Sequence, residues 1–277
     1  MRGPTPRINL IQAEPIVPAD YGGHTGLEED ELVVNANVQE QIEPNHVLRS
    51  MLLDEPLSAR QVEDEVSRRL YTIRAADSEG HRSAAHILVN RMYAWRGYRS
   101  SQGVEVVRNP NRITLVASEH DETVGTITIG FDGAEGMLVD ELFRDEVDLL
   151  RRDRALLCEF TKLAVDGAVR SKRVLASLFH VAFIYAHEVK ACDRILIEVN
   201  PRHVRYYERM LGFEVRGPER ANPRVSAPAV LLSLELSHAR AQIDRFGGRP
   251  DLVRVERSLY PYFFSAAEEA GIIHRFH

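Results

Sequence analysis

Residues 156–213 constrain this chain more than any other stretch. They read LLCEFTKLAVDGAVRSKRVLASLFHVAFIYAHEVKACDRILIEVNPRHVRYYERMLGF. An apolar run from Leu156 to Val165 contains one carboxylate, Glu159, and a helical segment follows over about Ser171 to Val189. A β-branched run from Ile195 to Val199 then closes on Asn200-Pro201, and a second helix over about Arg202 to Leu211 stops at Gly212. Strand, helix, strand, helix with short joints forces the two strands to lie parallel, because the crossover helix returns the chain to its starting end. Ligands of such sheets bind beyond the carboxyl ends of the strands, and Glu159 and Asn200 fall in or at the end of these two.

The flanking sequence supplies the rest of an α/β sandwich, a mixed twisted sheet with helices on both faces. Residues 1–58 are rich in Pro, Gly and acid with no sustained period, and read as a poorly ordered leader with one short segment around His46 to Leu53. Residues 59–237 read as the core domain. It opens with a helical run capped by Ser58, a strand over Leu70 to Arg74 and a helix over 82–94 that puts Ala85, Leu88, Val89 and Met92 on one face. A hairpin follows, Arg112 to Ala117 and Thr123 to Phe131 joined by SEHDE, then an acidic amphipathic helix near Glu141 to Leu150. Two late strands, Phe213 to Arg216 and Ala229 to Leu236, flank a loop reading GPERANPRVSAP. Residues 238–277 read as an extension whose aromatic Tyr260 to Phe264 packs back on the core.

Composition excludes several classes. Two cysteines, Cys158 and Cys192, both in apolar pattern, argue against a disulfide scaffold and suit a reducing cytoplasm. No apolar run approaches a membrane span, and the N-terminus MRGPTPRINL lacks a secretory apolar stretch, so the expected location is cytoplasmic. Net charge is −6, but residues 1–65 hold 13 acids against 4 arginines, which leaves the remainder mildly basic. That balance makes no case for nucleic acid. No G-x-S-x-G or G-x-G-x-x-G occurs, and His180 and His187 have no carboxylate or cysteine at ligand spacing, so hydrolase, dinucleotide and metal chemistry are all disfavoured.

The run NPRHVRYY from Asn200 to Tyr207, followed by LGF, resembles the last motif of the Gcn5-related N-acyltransferases, N-x-x-A-x-x-[LF]-Y and then Gly-Phe, with His203 in place of the usual small residue. CEFTKLAVD at 158–166, with Met137-Leu138 and Phe143, looks like the acyl-homoserine-lactone synthases, a carrier-protein-dependent branch of that fold. The combination with PAVLLSLEL at 228–236 is most similar to the long-chain N-acyl amino acid synthases, the N-acyltyrosine synthases among them, over about residues 70–237. Two departures stand out. RSKRVL at 170–175 lacks the glycines with which the acetyl-CoA enzymes of this fold cradle a pyrophosphate. Thr128 and Lys162 stand where the lactone synthases carry arginines.

The resemblance implies transfer of a long fatty acyl group from an acyl-carrier-protein thioester to the α-amine of an amino acid. No metal or other cofactor is implied, since the acyl-phosphopantetheine thioester is a substrate that is already activated. Glu159 is then expected to orient or deprotonate the amine, since an acid in an apolar strand costs several kcal/mol without a reason to be there. Tyr207, or His203 beside it, is expected to serve the leaving thiolate. Lys162 is expected at the acceptor's carboxylate, Asn200 at the pantetheine, and Arg170, Lys172 and Arg173 at the acidic carrier. Leu178, Val181, Ala182, Ile184 and Tyr185 could line an acyl tunnel, although most of that stripe reads as plain core. The alternatives are an acyl-CoA-dependent acetyltransferase, a lactone-synthase-like signal synthase and a non-catalytic acyl-binding module.

Overall fold

The structure, a computed structural model, describes residues 11–12, 71–98, 111–166 and 172–275. In chain order the strands are β1 (Ile11–Gln12), β2 (Tyr71–Ala75), β3 (Arg112–Glu119), β4 (Glu122–Phe131), β5 (Leu157–Val165), β6 (Arg194–Val199), β7 (Glu214–Val215), β8 (Arg220–Asn222) and β9 (Ala227–Glu235). The helices are α1 (Glu79–Trp95), α2 (Asp140–Arg152), α3 (Lys172–Ile184, prolonged by a π-helical turn over Tyr185–Val189), α4 (Val204–Leu211), α5 (Leu236–Phe246) and α6 (Ala266–His274). The sheet order is β1-β2-β3-β4-β5-β6-β9-β7, with β8 pairing β9 off this path. β5 and β6 are parallel, and every other neighbouring pair is antiparallel.

Local chemistry places each element. The side chain of Ser78 accepts from the N–H of His81 and caps α1, whose Ala85, Leu88, Val89 and Met92 are all buried as their spacing requires. The β3–β4 hairpin turns on His120 and Asp121 with φ of 48° and 64°, both in the left-handed region that a tight two-residue turn needs. α4 ends at Gly212, φ 81°. Alternation along β4 sends Ile127 and Ile129 into the main core beneath α3. A separate cluster of Leu88, Val89, Met92 and Ala164 seats α1, and Phe143 and Val147 seat α2 against Leu196 and Leu231.

Two expectations need revision, and a third is resolved. Two residues of the acidic leader, Ile11–Gln12, form an edge strand on β2, a contact that local composition does not signal. The loop between β7 and β9 contains β8, whose three residues are too few to show a period. The apolar stripe Leu178, Val181, Ala182, Ile184 and Tyr185 is main core, the reading favoured for most of it, and none of the five lines the cavity between β5 and β6. The segment at His46 to Leu53 and the helix after Ser58 lie outside the described residues. The aromatic tail does pack back. His180 is wholly buried on α3, with the rings of Phe263 and Phe264 stacked on it at 4.8 and 5.3 Å and its Nδ1 accepting from the N–H of Phe264 at 2.9 Å.

Candidate active site

The β5–β6 ladder lasts three residue pairs, Leu157 with Arg194, Cys158 with Ile195 and Glu159 with Leu196, and then stops. The cause lies on the far side of β5. Thr128 of β4 faces Thr161 and Thr126 faces Ala164, so two steps on β4 are met by three on β5. The extra residue is a β-bulge, and Lys162 within it has φ 52°. Beyond the bulge β5 follows β4, whereas β6 stays on β9 through six pairs ending at Val199 with Val230. The parallel strands therefore part, and the edges they turn towards each other have no ladder partner.

A cavity of about 170 Å³, open to solvent, occupies this gap. Phe160, Leu175, Phe179, Ile197 and Tyr207 bound it on the side of α3 and α4, and Tyr93, Arg96 and Tyr98 bound it at the end of α1. It thus runs between the strands from one layer of helices towards the other. Three of its lining residues carry a buried polar atom without a hydrogen-bond partner among the described residues: Oγ1 of Thr161, Oε1 of Glu198 and the hydroxyl of Tyr206. Buried polar atoms are almost always paired, so these three are exceptions among the residues that line the opening.

Of the residues expected at the site, Lys162, Asn200, His203 and Tyr207 line this cavity. Lys162 sits exposed at the bulge, its ammonium lowered in pKa by desolvation and then by Arg112. Asn200 accepts from the N–H of Arg202 at 3.2 Å and caps the short turn Pro201–His203. Burial, then Arg202 and Arg96, bring the His203 imidazole down to about 4, so it is neutral at pH 7, and its Nε2 accepts from Nε of Arg202 at 3.2 Å. Burial raises the Tyr207 phenol well above its ordinary value. Lys172 and Arg173 begin α3 half-buried and outside the lining. Arg170 lies outside the described residues.

Glu159 is not where the sequence reading puts it. It is absent from the cavity's lining, and its carboxylate accepts from the N–H groups of Leu138 and Val139 at 3.0 Å each and from Arg112 Nη2 at 3.2 Å. Gly130 opposite makes the room, since a Cβ there would stand 2.8 Å from Glu159 Oε1. Burial raises the Glu159 pKa, against the pull of those donors. The loop it grips is itself fixed by Arg151, which forks onto Asp132 and Asp140 at 2.7–2.8 Å. Glu159 is an anchor for the loop that leads into α2.

Two residues of the cavity wall escaped the sequence reading. Glu198 carries the same signal as Glu159, an acid inside an apolar strand, in the run ILIEV. Its Oε2 is held by Arg224 and by Asn222 Nδ2, the latter at 2.7 Å, while Oε1 is bare. Burial raises its pKa, opposed by Arg224. Arg96, the residue after α1, carries no signal in sequence, because only the packing of α1 on the sheet brings it to the gap. Among the described residues no cluster of three His, Cys, Asp or Glu side chains is arranged to hold a metal ion.

A family model described as N-acyl amino acid synthase FeeM matches residues 84–235, more than half of the chain. This chain belongs to that family. A solved structure of FeeM itself, an N-acyl amino acid synthase from uncultured soil microbes, is 29% identical over 62% of this chain and 93% of that chain, with a TM-score of 0.57. A putative N-acetyltransferase from Lactobacillus plantarum is 18% identical over 60% and 98% of the two chains, TM-score 0.45, and the AHL synthase LasI is 10% identical over 60% and 89%, TM-score 0.43. No match is found among curated proteins. The chain shares the fold of the FeeM synthase and is an N-acyltransferase. No helix among the described residues is long and apolar enough to cross a membrane.

Proposed function

We propose that this family member moves a long-chain fatty acyl group from the phosphopantetheine thioester of an acyl carrier protein to the α-amine of an amino acid. The observation that carries the reading is the parting of β5 and β6 beyond Glu159 and Leu196 around an open cavity. A pantetheine arm is a narrow chain bearing two amides. Two facing strand edges without ladder partners offer it N–H and C=O groups in the manner of an added strand. Apolar Phe160, Leu175, Phe179 and Ile197 suit the acyl chain that follows.

The neutral Tyr207 phenol serves the leaving sulfur as a hydrogen-bond donor. With its pKa raised above that of a thiol, it stabilises the thiolate without giving up its proton. His203, neutral at pH 7, can assist only by hydrogen bonding. Asn200 holds the pantetheine near the mouth. Arg170, Lys172, Arg173 and Lys162 give the carrier's phosphate and acidic surface a positive approach. No metal or nucleotide is invoked, because a thioester is already activated for attack by an amine.

The test is to incubate the purified protein with an amino-acid mixture and one long acyl group carried either by acyl carrier protein or by coenzyme A. Mass spectrometry should find an N-acyl amino acid, formed faster from the carrier. Faster turnover of acetyl-CoA, or no acylated amino acid from either donor, would overturn the proposal.

A further inference from the structure

On the α1 side of the gap the cavity wall holds a guanidinium without a carboxylate and a carboxylate with one bare oxygen. We infer that these two groups form the acceptor subsite, Arg96 binding the free α-carboxylate of the amino acid and Glu198 Oε1 taking the first proton from its α-ammonium. This rests on the acyl-transfer reading above and adds which residues select the acceptor.

Two arginines of this site, Arg96 and Arg202, meet no carboxylate among the described residues, and of the two only Arg96 lines the cavity. Arg112 meets Glu159, Arg224 meets Glu141 and Glu198, and Arg220 meets Glu146. Arg96 has five N–H donors to place. Among the described residues its guanidinium makes one hydrogen bond, from Nη1 to the Met92 carbonyl at 3.4 Å, lies over the Trp95 ring at 5.8 Å from the centroid, and meets no carboxylate within ion-pair distance. It is half-buried among Tyr93, Tyr98 and Tyr207, where desolvation lowers its pKa. A cation withdrawn from water without a counter-charge is costly. A ligand carboxylate, which takes two parallel N–H bonds from one guanidinium, removes that cost when it arrives. Lys162 is the competing cation, but it is exposed and offers a point charge without the matching fork.

Glu198 supplies the second half. Arg224 and Asn222 fix Oε2, while Oε1 is buried at the wall without a hydrogen-bond partner among the described residues. The two groups share one cavity, since Arg96 and Glu198 are both among its lining residues. An α-amino acid presents one anion and one cation on adjacent atoms, and this wall presents their complements.

The protons balance as follows. The α-ammonium gives one proton to Glu198 Oε1, and the freed amine attacks the thioester carbonyl carbon. The C–N bond forms as the π pair moves onto oxygen. The intermediate collapses with cleavage of C–S, the sulfur leaves with the bond pair, and the second nitrogen proton goes to it to give the free thiol. Glu198 then returns its proton to water.

The test compares a mixture of the protein amino acids with the matching mixture of α-carboxamides, using one acyl carrier thioester. Wild-type kcat/KM should favour the acids by roughly 10- to 100-fold, the range of a charge-assisted pair. Arg96→Ala should abolish that preference and leave the KM for the acyl donor unchanged, and Arg96→Lys should restore part of it. Glu198→Gln should lower kcat by about 100-fold or more and remove the acidic limb of the rate–pH profile. Wild-type turnover of the carboxamides as fast as the acids, or a preference that survives in Arg96→Ala, would overturn the carboxylate assignment alone. An acidic limb that survives in Glu198→Gln would overturn the proton-transfer role. Failure of the wild type to acylate either mixture would instead sink the acyl-transfer reading on which both assignments stand.

Discussion

Glu159 and Glu198 stand on the two parallel strands, each an acid in an apolar run, and they meet opposite ends. Glu159 lies where the strands are still zipped, opposite Leu196, and both its oxygens are taken by two backbone amides and an arginine. Glu198 lies two residues further along, where the ladder has ended, and keeps one oxygen unpaired in the cavity wall. The environment, not the residue type, divides a structural carboxylate from a chemical one. A buried group whose oxygens are both engaged has little left to offer a substrate, whereas a half-satisfied one holds an unmet demand that a ligand can fill.

The comparison breaks most visibly through stability. Glu159→Ala leaves two buried amides and Arg112 without their acceptor and is expected to cost about 3–5 kcal/mol, roughly 10 °C in Tm for a domain of this size. The gentler Glu159→Gln should keep acyl transfer per folded molecule within about threefold of wild type, far milder than a catalytic loss of at least 100-fold. Near-complete loss of turnover in Glu159→Gln at an unchanged Tm would reverse the roles assigned to the two acids.

A second, smaller effect comes from His203. Its folded pKa, about 4, lies below the ordinary imidazole value because of burial and two arginines. The unfolded chain therefore takes up a proton on this residue before the folded one does. The stability it contributes is complete above about pH 6.5 and is lost as pH falls through that value towards 4. Thermal melts across this window should show a decline that His203→Gln flattens, and an equal slope in the variant would refute the burial of that ring.

The smallest effect concerns the bulge that separates the two regions. Lys162 holds φ 52°, a conformation that glycine adopts without strain. Lys162→Gly is expected to change stability by no more than about 1 kcal/mol, with relief of strain offset by the added freedom of the unfolded chain. The acceptor's KM should not move if Arg96 binds the carboxylate. A rise of tenfold or more would hand that role to Lys162.

Much of this protein was legible in its sequence, for reasons that are local. The periods of β5, α3, β6 and α4, their short joints and the stop at Gly212 dictate a parallel pair with a crossover helix, and the face of α1 follows from four apolar residues at helical spacing. Asn200, His203 and Tyr207 could be placed at the strand end because they follow β6 directly. Tertiary structure alone decided which acid lines the cavity. The two acids carry the same signal in sequence, and their difference arises because a bulge against β4 ends one ladder between them. Arg96 was invisible for the same reason: its lack of a carboxylate partner among the described residues is a property of everything packed around it, and no stretch of sequence contains that.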